Sequence, residues 1–282
     1  MNLKPFHTIG IGVTFSPNLK ANINEAARLS HFFNTELILI HVGEQSKDKE
    51  NTFKTFLKPF IKDGFNYKII FKSGNPVDVI LSVSEENNID LLILGALQQE
   101  NFLKYYVGSI ARKITRQAKC SVLLLINPSV DRIPCNHIVV NGLEDPKTKL
   151  TITSAFYVAK HLSSDKITIV EEIGQEKVAV NIDDDKSLRK STIVKERIRL
   201  REDSRVKNLI ENIPEGYTQN IQINTQPIFG KRGYSIGHYA QVVRADLLIM
   251  NAPNKISFWD RLFPHDIEHI LTELPTDVLI IR

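Results

Sequence analysis

Part of this chain is written twice, and that repeat constrains the fold more than any other feature. Asp90-Leu-Leu-Ile-Leu-Gly95 returns as Asp246-Leu-Leu-Ile-Met-Asn251, an interval of 246 − 90 = 156 residues. Ser121-Val-Leu-Leu-Leu returns as Asp277-Val-Leu-Ile-Ile at the same interval, 277 − 121 = 156. The run opening at Ile9, with its Ser16-Pro17 turn, matches Ile138 and Asp145-Pro146 at 138 − 9 = 129. The second copy therefore holds 156 − 129 = 27 extra residues before its fourth strand. The polar stretch Glu172 to Thr192, with Asp183-Asp184-Asp185, is expected to hold most of them. A period this long marks a duplicated domain rather than a solenoid. The expected division is 1–130 and 134–282, with the seam in the Pro-bearing polar stretch Asn127 to Pro134.

Within each copy, short apolar runs alternate with longer amphipathic ones. In the first, Ile9 to Val13, Leu37 to Val42, Tyr67 to Phe71, Leu91 to Leu94 and Val122 to Ile126 read as strands. In the second, the strands are Ile138 to Val140, Ile167 to Val170, Ile221 to Ile223, Leu247 to Met250 and Val278 to Ile281. Several are apolar at every position, as strands of a parallel sheet buried on both faces are. Ala21 to Phe33 repeats apolar residues at three- and four-residue spacing, and so does Val77 to Val83 after the turn Gly74-Asn75-Pro76. Strand–helix alternation implies right-handed βαβ crossovers. The expected architecture is α/β: two tandem doubly wound domains, each a five-stranded, mostly parallel sheet flanked by helices.

Composition narrows the class. The chain has 282 residues, 42% of them hydrophobic, and a formal charge of +4, which is too small to argue for nucleic acid or a membrane surface. No apolar run approaches the ~20 residues needed to span a bilayer. Met1-Asn2-Leu3-Lys4-Pro5 lacks the apolar core of a signal peptide, so the expected compartment is the cytoplasm. Cys120 and Cys135 form no metal-ligand spacing and no disulfide framework.

In an open parallel sheet the ligand lies beyond the carboxyl ends of the strands, where strand order reverses. Gly95 follows the fourth strand, and Gly108-Ser109 comes thirteen residues later (108 − 95), opening the amphipathic run Ile110-Ala-Arg-Lys-Ile114. Serine is a good helix N-cap, and the N–H groups of a helix start hold phosphate. Glycine lets a ligand approach the backbone. A plain strand end followed by a plain helix start accounts for the same residues, since isolated glycine pairs are weak phosphate signals.

The spacing also carries a resemblance. Gly95-Ala96-Leu97-Gln98, nine residues to Val107, then Gly108-Ser109 resembles the ATP-binding pattern of the universal stress proteins. That pattern is Gly, two residues, Gly, nine residues, then Gly with Ser or Thr. Ser73-Gly-Asn-Pro76, Asp90-Leu-Leu-Ile-Leu-Gly95 and Cys120-Ser-Val-Leu-Leu-Leu125 are similar to the same family, over nearly the whole chain. The resemblance implies an adenine-nucleotide α-hydrolase-like fold and a tandem, non-enzymatic stress-response protein with ATP in the first domain. It implies site residues Gly12, Val13 and Thr14 after the first strand and Val42 after the second. Leu94, Gly95 and Gln98 would follow at the fourth strand, then Gly108, Ser109 and Ile110. Single domains of the family commonly dimerise through the last strand. The two fifth strands would then pair antiparallel as an intramolecular pseudo-dimer, with an unnamed protein partner or a further homodimer beyond it.

Two positions depart from the pattern. Gln98 stands where the second glycine falls, and Thr14 where nucleotide-binding members place an adenine-reading aspartate; a hydroxyl lacks the carboxylate's two acceptor oxygens. In the second copy the counterparts of Gly95, Gln98, Gly108 and Ser109 are Asn251, Asn254, Pro264 and His265, and Leu143 matches Thr14. The second domain is expected to bind no nucleotide in the family manner.

The alternative reading is an enzyme, either a slow ATP hydrolase or a metal-dependent hydrolase. His265-Asp-Ile-Glu-His269 matches H-x-x-E-H, a zinc-peptidase helix pattern, but the sequence offers no third ligand. Gly230-Lys-Arg-Gly-Tyr-Ser235 lacks phosphate-loop spacing and matches the turn at Gly74. The basic run Lys186 to Lys207 is interrupted by Glu196, Glu202 and Asp203 and has no aromatics, so it reads as a solvated helix face. Trp259, Phe258 and Phe263 read as loop packing, with a partner surface as the other reading of clustered aromatics. His41 reads as a satisfied structural histidine.

Overall fold

All ten strands expected from the sequence form, with ends moved by a few residues, in the computed structural model. It describes residues 3–61, 65–98, 105–178, 184–231, 233–252 and 266–282. The chain divides into two compact units, Asn2–Pro134 with Leu271–Arg282, and Cys135–Ile270.

In the first unit β1 (Thr8–Val13), α1 (Leu19–Phe33), β2 (Glu36–Val42), α2 (Lys47–Leu57), β3 (Tyr67–Lys72), α3 (Pro76–Glu86) and β4 (Leu91–Gly95) follow in turn. Two short strands that pair antiparallel come next, β5 (Leu97–Gln98) and β6 (Tyr105–Tyr106), then α4 (Ser109–Gln117) and β7 (Ser121–Leu125). Strands β2, β1, β4 and β7 run parallel, with β3 beside β2. Order therefore reverses between β1 and β4, which fixes the crevice at their carboxyl ends.

In the second unit β8 (His137–Asn141), α5 (Thr148–Leu162), β9 (Lys166–Ile173), α6 (Asp185–Ile210), β10 (Gln222–Phe229), α7 (Tyr234–Val242) and β11 (Leu247–Asn251) repeat that path. The parallel order is β10-β9-β8-β11. After α8 (Asp266–Thr272), β12 (Asp277–Ile281) pairs antiparallel with β7, Val278 opposite Leu124 and Ile280 opposite Val122. The compact units are thus drawn differently from the sequence repeats, because the last strand of the second repeat packs within the first unit.

The repeat holds down to single hydrogen bonds. Asp90 Oδ2 accepts the amides of His7 (2.8 Å) and Thr8 (3.2 Å). Asp246 Oδ2 accepts those of Asn136 (2.8 Å) and His137 (2.9 Å). The aspartate before each Leu-Leu-Ile strand therefore ties down the start of its neighbour, a structural duty. Helices α1 and α5 both end on a left-handed residue, Asn34 (φ 51°) and Ser163 (φ 60°). Asp90→Ala is expected to cost about 1–2 kcal/mol, since it orphans two amides that had shared a charged acceptor at a half-exposed strand end. Urea denaturation checks it, with an unchanged midpoint as the contrary result.

The extra residues of the second copy lie largely in its second helix. α6 has 26 residues where α2 has 11. Asp184 caps it with a capping box, its carboxylate accepting from Ser187 N while Ser187 Oγ accepts from Asp184 N. Glu172 and Ile173, expected within the insertion, belong to β9. The solvated-face reading of Lys186 to Lys207 holds for Arg197 and Arg199, which are exposed, but not for Glu202 and Val206, which are buried.

Candidate functional site

The crevice of the first unit is built from strand ends. Val13 closes β1 and is buried, and its carbonyl accepts from His41 Nδ1 at 3.1 Å. A carbonyl only accepts, so that ring nitrogen carries the proton. His41, itself buried, is the satisfied structural histidine expected. It meets Phe53 and Phe71 edge-on, with centroids 5.8 and 5.5 Å away. Phe15, half exposed, stacks on Phe53 at 5.4 Å and gives the crevice an aromatic wall beside exposed Thr14. Val42 closes β2 and Gly12 lies in β1, where a Cβ would meet Ile80 at 3.2 Å.

At β4, Leu94 is buried and Gly95 is exposed. A Cβ on Gly95 would stand 3.3 Å from Asn22 Nδ2 on α1, so the missing side chain leaves the strand end open toward that amide. Asn22 Oδ1 is buried without a hydrogen bond among the described residues. Sequence reading missed Asn22, because a polar residue in the first turn of an amphipathic helix carries no signal of its own. The backbone of Gln98 pairs with Tyr105 between the antiparallel strands β5 and β6.

The start of α4 corrects one expectation. Gly108, not Ser109, is the N-cap, and no side chain caps the helix. Ser109 and Ile110 are exposed in its first turn, whose N–H groups have no intrahelical acceptor in any α-helix. Such a turn attracts an anion. Val107 N donates to Leu271 O at 3.2 Å and Arg112 Nη2 to the same oxygen at 2.9 Å, which anchors the turn from behind.

The second unit fills the matching region with its own side chains. Gly142 and Leu143, just past β8, stand where Val13 closes β1 and Thr14 follows it. Their carbonyls accept from Arg205 of α6, Leu143 O at 3.5 Å from Nη1 and Gly142 O from Nη2. Glu202, buried, accepts from Arg205 Nε at 2.9 Å and also pairs with Arg201. Burial opposes the Glu202 charge, but the two guanidiniums hold its carboxyl below the ordinary range. Asn251, at the place of Gly95, donates to Thr148 Oγ1 at 3.0 Å and closes the strand end. Asn254, Pro264 and His265 lie outside the described residues, as do Trp259, Phe258 and Phe263. His269 is half-buried on α8, and among the described residues no group of three His, Cys, Asp or Glu side chains is arranged to hold a metal.

Gly233, at φ +73°, is the turn residue at the N-cap of α7, and Tyr234 and Ser235 lie within the helix. Glu172 closes that turn from β9, its carboxylate accepting from Gly233 N at 3.0 Å and Ile236 N at 2.8 Å. Burial pushes the Cys120 thiol up to about 11, so it is protonated at neutral pH.

Residues 43–125 match the model of the universal stress protein family. A stretch of 60 residues is 27% identical to a universal stress protein of Methanothermobacter thermautotrophicus, spanning 21% of this chain and 40% of that protein. Among solved structures, a functionally unknown protein of Pseudomonas aeruginosa superposes with a TM-score of 0.74 at 14% identity. That match covers 99% of this chain and 93% of the other. A universal stress protein from Archaeoglobus fulgidus superposes with a TM-score of 0.67 at 16% identity, covering 98% of each chain. At these identities the structural likeness speaks for fold: α/β, with mostly parallel strands flanked by helices. Among the described residues no helix is long and apolar enough to cross a membrane.

Proposed function

We propose that this chain is a tandem universal stress protein, a cytoplasmic, non-enzymatic binding protein of the stress response. Its first copy takes an adenine nucleotide such as ATP, and its second copy takes none. The contrast between two crevices of like strand order carries the reading. In the first, glycine stands at the end of β4 and at the start of an uncapped α4. In the second, Asn251 and the Arg205 guanidinium occupy the corresponding strand ends.

Phosphates would lie against Gly108, Ser109 and Ile110, and the base toward Val13, Thr14 and Val42. There Thr14 offers a hydroxyl, and Phe15 an exposed ring face for stacking. The antiparallel pairing of β7 with β12 supports an intramolecular pseudo-dimer. A protein partner that responds to the occupied crevice would complete the signalling role.

Calorimetric titration of the whole chain with ATP and Mg²⁺ tests the reading. One nucleotide per chain is expected. Two per chain, or binding that survives substitution at Gly95, would overturn it.

A further inference from the structure

The side chains of β9 alternate between two faces of the sheet. Glu172 turns to one face and caps α7. Glu171 turns to the other, toward α6, with its Cγ 3.3 Å from where a Cβ on Gly142 would stand. It is 2% exposed, and neither carboxylate oxygen has a hydrogen-bond partner among the described residues. Three charged groups act on it, all from α6: Arg205, Glu202 and Asp203. None relieves it. Arg205 is spent on Glu202 and on the carbonyls of Gly142 and Leu143. Asp203 is taken by Thr225 of β10 and by Lys207. Pro227 lies opposite Glu171 on β10 and carries no charge, and Gly142, just past the end of β8, carries none. Farther out, Glu144 meets Lys177 and Arg201.

A buried carboxylate with no donor is tolerated only as the neutral acid. We propose that α6 is a proton-dependent latch over the crevice of the second unit, docked while Glu171 holds a proton and released as Glu171 ionises. Closure takes up one proton from solvent, converting the carboxylate to the carboxylic acid, and no other bond changes. Burial pushes the docked Glu171 up to about 7 from its ordinary 4.5, with the Arg205 charge opposing and Glu202 and Asp203 reinforcing.

The sign follows from linkage. Between those two values the docked state binds one proton more than the open one. Docking is therefore fully supported below about pH 4.5 and weakens about tenfold per pH unit up to about pH 7, then levels off. The latch concerns the second unit and stands whether or not the first binds nucleotide.

Hydrogen exchange of α6 in the whole chain, followed by mass spectrometry at several pH values and corrected for the intrinsic rate, tests this. In the native chain the protection of the α6 amides is expected to fall about tenfold per pH unit between about pH 5 and 7, while α5 stays level. Glu171→Gln, a neutral near-isostere, is expected to flatten the α6 profile, as is Glu171→Met should the amide fold poorly. A native profile that is flat, or as steep in the variants, overturns the latch. So does a carbon-13 titration of the Glu171 carboxyl in the native chain that falls at the ordinary value.

Discussion

Glu202→Ala is expected to destabilise the chain by about 2–3 kcal/mol. Removing one partner of a buried ion pair ordinarily costs about 3–5 kcal/mol, because the surviving charge stays in the interior without its counterion. Arg205 is 23% exposed and keeps two carbonyl acceptors, which lowers the figure. Arg201 adds little, since it is 61% exposed and retains Glu144. The matched control is Glu85→Ala. It breaks the pair with Lys119, whose side chains are 49% and 76% exposed, and is expected to change stability by less than about 0.5 kcal/mol. Urea denaturation followed by circular dichroism separates the two. Equal midpoints would mean that α6 does not depend on the pair.

Gly95→Val is expected to weaken ATP binding by roughly thirtyfold, about 2 kcal/mol, with the fold intact. Its backbone does not require glycine. Unlike Gly43 and Gly74, at φ +145° and +142°, Gly95 is not in the left-handed region. The cost falls on the crevice. The new Cβ would stand 3.3 Å from Asn22 Nδ2, tighter than an ordinary contact, and the branches would cover the end of β4. Isothermal titration with ATP and Mg²⁺ reads the loss. Native affinity in the variant would move the ligand away from β4.

Strands were legible because the apolar runs are short and bounded by turn residues, which separates them from buried helices, and the repeat supplied their order. Leu247–Asn251 and Asp277–Ile281 could be identified from Leu91–Gly95 and Ser121–Leu125 alone. The cap of α4 misled, because Ser109 is the better capping type and yet Gly108 takes the position. Arg205 and Glu202 were illegible for another reason. On a helix with nine basic and four acidic residues, charge density suggests solvent, and only tertiary contact separates the inward pair from the outward ones. Glu171 was hidden similarly, since a carboxylate at the end of a strand normally reaches water.

The pairing of β12 with β7 also bears on how the chain is made. Strand β7 ends at Leu125 and its antiparallel neighbour begins at Asp277, so 276 − 125 = 151 residues lie between them. At ordinary ribosomal rates, about 5–20 residues per second, that stretch takes roughly 8–30 s to translate. Throughout, the outer side of Ser121–Leu125 offers unpaired main-chain groups and a row of valine and leucine to any passing nascent chain. Slow translation or crowded polysomes would therefore expose this protein to tangling with its own siblings.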